Sequence, residues 1–143
     1  MLTLVTHPAY DIPLPNGHMF PATKFSRLMA RLGEDGLLSG FKTAIPEPAA
    51  RNEIARTQDA AYVDAIADGN LDRQSLRVLG LNWSQVLADR SFLAVNGTLL
   101  TARRALEYGL ACHAAGGTHH AHHAYGAGYC VFNDLAYTAS RLV

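Results

Sequence analysis

Several things are scarce in this sequence, and each scarcity closes off a class of function. Charge is in surplus in neither direction: 12 Lys and Arg stand against 12 Asp and Glu. No run of one sign or basic stripe appears, so neither nucleic acid nor an anionic membrane surface is a predicted partner. No apolar run is long enough to span a bilayer. The N-terminal stretch Met1–Val5 is apolar, but no basic residues precede it and Pro8 follows too soon for a signal peptide. Cysteine is limited to Cys112 and Cys130, with no Cys-x-x-Cys, which predicts reduced thiols in the cytoplasm and no disulfide framework. Internal repeats, low-complexity tracts and a dividing linker are all lacking. The remaining composition is ordinary, 49% apolar over 143 residues, enough for one compact domain with a hydrophobic core.

What is present reads as alternating strands and helices. Leu2–Val5 has the pattern of a buried strand. His7 to Pro21 carries four prolines and Gly17, so it is a loop, and a long one. Phe25, Leu28, Met29 and Leu32 keep helical spacing, with Gly33 as the predicted stop. Gly36 and Gly40 mark a turn before a short strand, Thr43–Ile45. Asp59 caps a helix containing Tyr62, Val63 and Ile66 and ending at Gly69. Short helices are predicted over Asp72–Val78 and Trp83–Asp89. Ser91 then caps a longer one to Tyr108, with Gly109 beyond it. Gly97 inside that helix costs about 1 kcal/mol relative to alanine, which either a close approach to a neighbouring element or simple tolerance would explain. Leu110–Ala115 is a second good strand, and Asn133 or Asp134 caps a last helix, Leu135–Leu142. The pattern is that of an α/β domain with a parallel sheet.

The chemistry concentrates after the last strand. Four of the seven histidines, His119, His120, His122 and His123, lie within five positions. Gly116-Gly117 precede them, and Gly126 and Gly128 follow. Histidine is the side chain best suited to move protons near neutral pH. In an extended strand two adjacent histidines would face opposite ways, so a bent backbone is needed to bring both to one centre, and the glycine pair supplies it. An acid/base pair is the sharper reading of His119 and His120; a solvated polar loop is the plainer one. Zinc ligation by the four together is a third, weaker because a structural zinc draws ligands from more than one segment. His122 and His123 read as exposed loop residues. His113, inside the strand, reads as a buried histidine with its hydrogen bonds satisfied.

Gly116-Gly117-Thr118-His119-His120, followed by Gly128-Tyr129-Cys130-Val131-Phe132-Asn133-Asp134, resembles the active-site signature of the histone deacetylase superfamily. Weaker similarity extends over nearly the whole chain. It includes Tyr10–Pro15 with Gly17-His18 and Phe20-Pro21, and Gly80–Ser84. Thr57–Val63 is similar to the family's helix start, with Gln58 in place of the usual histidine. The resemblance implies the N-terminal portion of an arginase/deacetylase-like three-layer fold over residues 1–143. It implies His120 as general base and His119 as its electrostatic or proton-transfer partner. Gly128 and Tyr129 would line the tunnel for an acyl-lysine stem, with Tyr129 in place of the usual phenylalanine. His18, in the loop at the rim, would either contact the substrate or make a structural hydrogen bond. Cys130 would sit beside the site as a small buried side chain, and Asn133 and Asp134 would anchor the loop to the next helix.

The same resemblance places the zinc ligands (an Asp-x-His pair and a second aspartate), the partners that orient the tandem histidines, and the carbonyl-polarising tyrosine downstream of the Asn-Asp helix. On this reading zinc belongs to the complete enzyme and the chain holds none of its ligands. The substrate class implied is an acyl-lysine protein or peptide, or a small acyl-amine. The isolated chain is expected to be inactive. The alternative is a non-catalytic remnant or partner-binding module, self-associating through an incomplete sheet.

Overall fold

The computed structural model describes all residues, 1–143. Three parallel strands, β1 (Leu2–Val5), β2 (Phe41–Ala44) and β3 (Ala111–His113), form a sheet in the order β2-β1-β3. Leu2 lies opposite Phe41 on one side of β1, and Leu4 opposite Cys112 on the other. Thr3, Leu4 and Val5 are buried in succession. Successive side chains of a strand point to opposite faces, so both faces of the central strand are covered, as a layered α/β fold requires.

The helices are α1 (Lys24–Glu34), α2 (Arg51–Ile54), α3 (Ala60–Asp68), α4 (Arg73–Leu79), α5 (Gln85–Tyr108) and α6 (Asp134–Leu142). Their N-termini follow local chemistry. The carboxylates of Asp59 and Asp72 accept from the amides of Tyr62 and Ser75, and the Asn133 amide oxygen accepts from Ala136 N–H. Each such cap contributes about 1 kcal/mol. α5 is the spine. It packs on β1 and β3, carries α6 on its flank, and supplies Leu87, Val95 and Leu99 to the main core with Ile54, Ile66, Leu79 and Tyr137.

Several sequence expectations need correction. Trp83–Asp89 and the helix after it are one element: the hydroxyl of Ser84 caps α5 by accepting from Leu87 N–H. Ser91 is buried inside α5 and donates to the Leu87 carbonyl at 2.6 Å. A serine hydroxyl can bond back along a helix as readily as it caps one, and local sequence does not separate the two. Gly33 lies within α1; the left-handed residue that follows the helix is Gly36, at φ 69°. β2 begins two residues earlier than predicted, at Phe41, and β3 is confined to Ala111–His113. α2, a single turn, had no signal long enough to read.

Candidate active site

The strand order puts the site where it is. From β1 the chain passes to β2 on one side, then crosses back to β3 on the other. The loops leaving β1 and β3 therefore part company at the carboxyl ends of two adjacent strands, the crevice where open α/β sheets bind ligands. The first loop carries Tyr10 and His18. The second carries the glycines and the histidines.

Gly116 and Gly117 both adopt left-handed backbone, at φ 83° and 75°. That double bend turns the tandem histidines to one side: the His119 and His120 rings lie 4.4 Å apart, inclined at 31°. Both are exposed. His119 Nδ1 lies 3.2 Å from the Gly117 carbonyl. A carbonyl only accepts, so in the neutral ring Nδ1 carries the proton and Nε2 presents its lone pair.

A layer of polar anchors holds the loop from beneath. Asp134, which the sequence offered as a possible helix cap, is not the cap; Asn133 is. The Asp134 carboxylate is buried and accepts from Thr98 Oγ1 at 2.5 Å and from Gly117 N–H at 2.8 Å. His113 contacts Thr98 Oγ1 through Nδ1 at 3.2 Å and the Tyr10 hydroxyl through Nε2 at 2.8 Å, the satisfied histidine expected from sequence. Burial, reinforced by the Arg90 guanidinium, pushes its pKa down to about 4. Burial likewise pushes the Tyr10 phenol up. Gln58, 2% exposed, donates to the His122 carbonyl and accepts from Asn133 N–H. It ties the far end of the histidine stretch to the start of α6. Sequence reasoning noted Gln58 only as a departure and gave Thr98 no role. Their signal was polarity inside apolar surroundings, which becomes visible once burial is known.

The aromatic wall stands on a tight turn. Ala127 and Cys130 exchange both backbone hydrogen bonds, and Gly128 and Tyr129 between them have φ of 54° and 65°. Positive φ at both central positions is the type I′ pattern, which a glycine meets freely and a tyrosine only at a cost near 1 kcal/mol. Tyr129 is held there by its N–H on the Leu79 carbonyl. Its ring closes on Gly80, where a β-carbon would stand 2.9 Å from the ring. Phe20 and His18 flank Tyr129, with ring centroids 5.4 and 5.7 Å away. Gly128 lies against His120. Both nitrogens of His18 are engaged within the chain, one by Phe20 N–H and one with the Gly80 carbonyl, so the contact it offers a ligand is its ring. Cys130 is buried, donates to the Phe132 carbonyl, and has its thiol pKa pushed up by burial; it is a packing residue.

His122 and His123 are exposed. His122 stacks on Tyr125 at 4.4 Å, and His123 Nδ1 lies 3.3 Å from the Thr57 carbonyl. No three His, Cys, Asp or Glu side chains converge to hold a metal ion. The four histidines of the loop therefore do not make a zinc site, and the residues present do not fit the family's zinc by themselves. No helix is long and apolar enough to cross a membrane.

A layered α/β domain with paired histidines at the carboxyl edge of its sheet is the class these features define. Comparison with known proteins narrows it. Residues 18–143 match the model of the histone deacetylase domain, and the chain belongs to that family. It is 44% identical over 133 residues to an uncharacterized protein of Picosynechococcus sp., covering 93% of this chain and 44% of that protein. The fold is that of the HDA15 HD domain, with a TM-score of 0.77 at 15% identity, over 97% of this chain and 42% of that one. The chain thus spans less than half the length of the relatives it matches.

Proposed function

We propose that this chain forms the N-terminal part of a deacetylase-like amidohydrolase that removes acyl groups from acyl-lysine or related acyl-amines. The observation that carries the reading is the pair of histidine rings, 4.4 Å apart, at the β1/β3 crevice beside the Tyr129 wall. His120 takes the proton of the attacking water, and His119, with Nε2 free, serves as its electrostatic and proton-transfer partner. Gly128, Tyr129 and the His18 ring line the groove for the extended stem of the acylated amine. An aromatic wall suits that stem because its methylenes gain by burial while the amide ends remain polar.

Zinc enters only through family membership. The chain's residues do not assemble its ligands, and no step is assigned to it here. The test is made in the full-length protein that carries these residues, with an acetyl-lysine peptide and an acetylated polyamine as substrates. His120→Ala is expected to lower kcat by roughly 10²–10⁴-fold. Unchanged turnover in that variant would overturn the assignment. A second reading, a partner-binding module, draws on the free edge of β3 and on the exposed Leu106 and Leu110 near it. It gains the lead if the full-length protein hydrolyses no acyl-amine.

A further inference from the structure

The chain carries no net charge, yet four of its unpaired cations gather around one feature. The ion pairs of the fold engage Arg31, Arg51, Arg104 and Arg141. Lys24, Arg27, Arg73 and Arg77 are exposed and belong to none of them. They form two pairs, Lys24 with Arg27 on α1 and Arg73 with Arg77 on α4, each at a spacing that puts both side chains on one helix face. Like charges at such spacings work against their own helix. Nearby carboxylates do not balance them. Asp11 accepts from Ser26 N–H, Asp72 caps α4, and Glu34 and Asp35 both face Arg31.

Both pairs border the aromatic wall. Lys24 Nζ lies over the Phe20 ring, 5.2 Å from its centroid, and Phe20 flanks Tyr129 at 5.4 Å. Arg73 and Arg77 line one cavity with Gly80, the residue on which the Tyr129 ring closes and whose carbonyl meets His18. The wall thus meets one cationic pair at Phe20 and another at Gly80. No local sequence pattern shows this, because the pairs come from separate helices. Two short pairs around a groove of side-chain size suit a polypeptide that inserts one acylated side chain between them. Nucleic acid calls instead for a continuous basic track.

We infer that Lys24, Arg27, Arg73 and Arg77 form a cationic rim that recognises acidic residues flanking the acylated lysine of a polypeptide. The same rim disfavours an acylated polyamine, whose remaining amines are cationic. The inference rests on the groove assigned above and names which of its two substrate classes the site takes. Charges placed at a rim act mainly on encounter and on the choice between partners, and each exposed pair contributes roughly 1.5–5-fold in binding.

The test uses the full-length protein that carries these residues. Its substrates are an acetyl-lysine peptide with aspartate and glutamate on both sides, the same peptide with asparagine and glutamine there, and acetylspermidine. The acidic peptide is expected to exceed the neutral one in kcat/KM by roughly 5–50-fold, the gain lying in KM, with acetylspermidine lowest. Raising the ionic strength from about 0.1 M to about 1 M, which shortens the screening length from roughly 10 Å to 3 Å, should remove most of that ratio. Arg73→Gln with Arg77→Gln is expected to lower the acidic-to-neutral ratio about 2–10-fold, and Lys24→Gln with Arg27→Gln likewise. The pairs lie on different helices, so if one double variant does not fold the other makes the test. Arg73→Glu with Arg77→Glu should shift the preference toward a peptide with flanking lysines, which a merely structural role would not do. Fluorescence anisotropy of the labelled peptides reads the same ratio without turnover. A binding preference for the acidic peptide that is lost in these variants, with no hydrolysis of any acyl-amine, would support the rim and overturn the catalytic reading. Equal binding of acidic and neutral peptides, a ratio unchanged in the folded double variants, or equal affinity for a single-stranded oligonucleotide would overturn the inference.

Discussion

His113 and the tandem histidines lie within seven positions of one another and are treated by the fold in opposite ways. His113 has both nitrogens bonded, to Tyr10 and Thr98, and its pKa is pushed down to about 4 by burial and by Arg90. It is a neutral strut. His119 and His120 are exposed, their rings lie 4.4 Å apart at an inclination of 31°, and His119 Nδ1 meets the Gly117 carbonyl. The difference is made by Gly116 and Gly117, whose left-handed backbone carries the chain from the interior to the crevice. One stretch thus holds a histidine that its surroundings keep neutral, and then two exposed ones to which the proposed function gives the proton transfer. The same side chain serves both purposes because burial and partners, not residue type, set its protonation.

The largest expected effect comes from closing the bend between the two. Gly116→Ala forces a β-carbon into left-handed backbone, at about 1–2 kcal/mol. It also drives that carbon against Thr98, His113 and Asp134, where overpacking adds about 1–3 kcal/mol. The sum, about 2–5 kcal/mol, is a large share of a typical domain stability of about 5–15 kcal/mol. Urea unfolding should show stability falling by about 2–5 kcal/mol, and the transition disappears if the wild type lies at the low end of the typical range. A loss under about 1 kcal/mol would mean the loop can shift to make room, and the contrast between strut and pair would lose its structural basis.

A smaller effect isolates His113, which is half-buried where the sequence reading expected it buried. Between pH 4 and 6.5 the unfolded chain binds a proton at residue 113 that the folded chain refuses. Stability from this group is therefore complete above about pH 6.5 and is lost as pH falls toward 4. The gap between the ordinary value of 6.5 and about 4 in the fold corresponds to roughly 3 kcal/mol. Urea unfolding of the wild type and of His113→Gln across this range gives the measurement. The difference between the two curves should lean toward the variant as pH drops. Parallel curves would show that His113 protonates in the fold without cost, and so is not the neutral strut described here.

How much of this could be read from the sequence depends on distance along the chain. The cap at Asp59 was legible, and that of the last helix was narrowed to Asn133 or Asp134, because donor and acceptor lie three residues apart; the cap at Asp72 has the same spacing but was not read. The histidine pair was legible because its glycines adjoin it. Gly97 was open to a close approach or to simple tolerance, and the approach is what the fold holds: Tyr10 and His113. Their identity was out of reach, because Tyr10 and His113 are 103 positions apart and Thr98 and Asp134 are 36. Local pattern offers Asp134 only as an alternative cap beside Asn133, and its part in anchoring the loop is implied by the family resemblance alone. Its real partners come from α5 and from the glycine bend, and no local pattern reports them. Ser91 was misread for a related reason: a hydroxyl that bonds back to Leu87 looks, in sequence, like one that starts a helix.

The smallest expected effect is on the exposed pair, and it sharpens the comparison most. His119→Ala removes a ring exposed to solvent, one tilted ring–ring contact and one bond of 3.2 Å to Gly117. His120→Ala removes a ring whose contacts are His119 and the open side of Gly128. Neither leaves a buried polar group stranded, because the Gly117 carbonyl lies on an exposed residue and can turn to water. Surface substitutions of this kind stay within about 0.5 kcal/mol, so both variants should unfold at nearly the wild-type urea midpoint. A loss above about 1 kcal/mol in either would mean that the pair braces the loop and is not simply displayed by it. The fall in turnover proposed for His120→Ala would then have a structural component. A near-zero change places the whole of that fall in the chemistry, since the Asp134 anchor and the Gly116 bend would hold the loop in place without the ring.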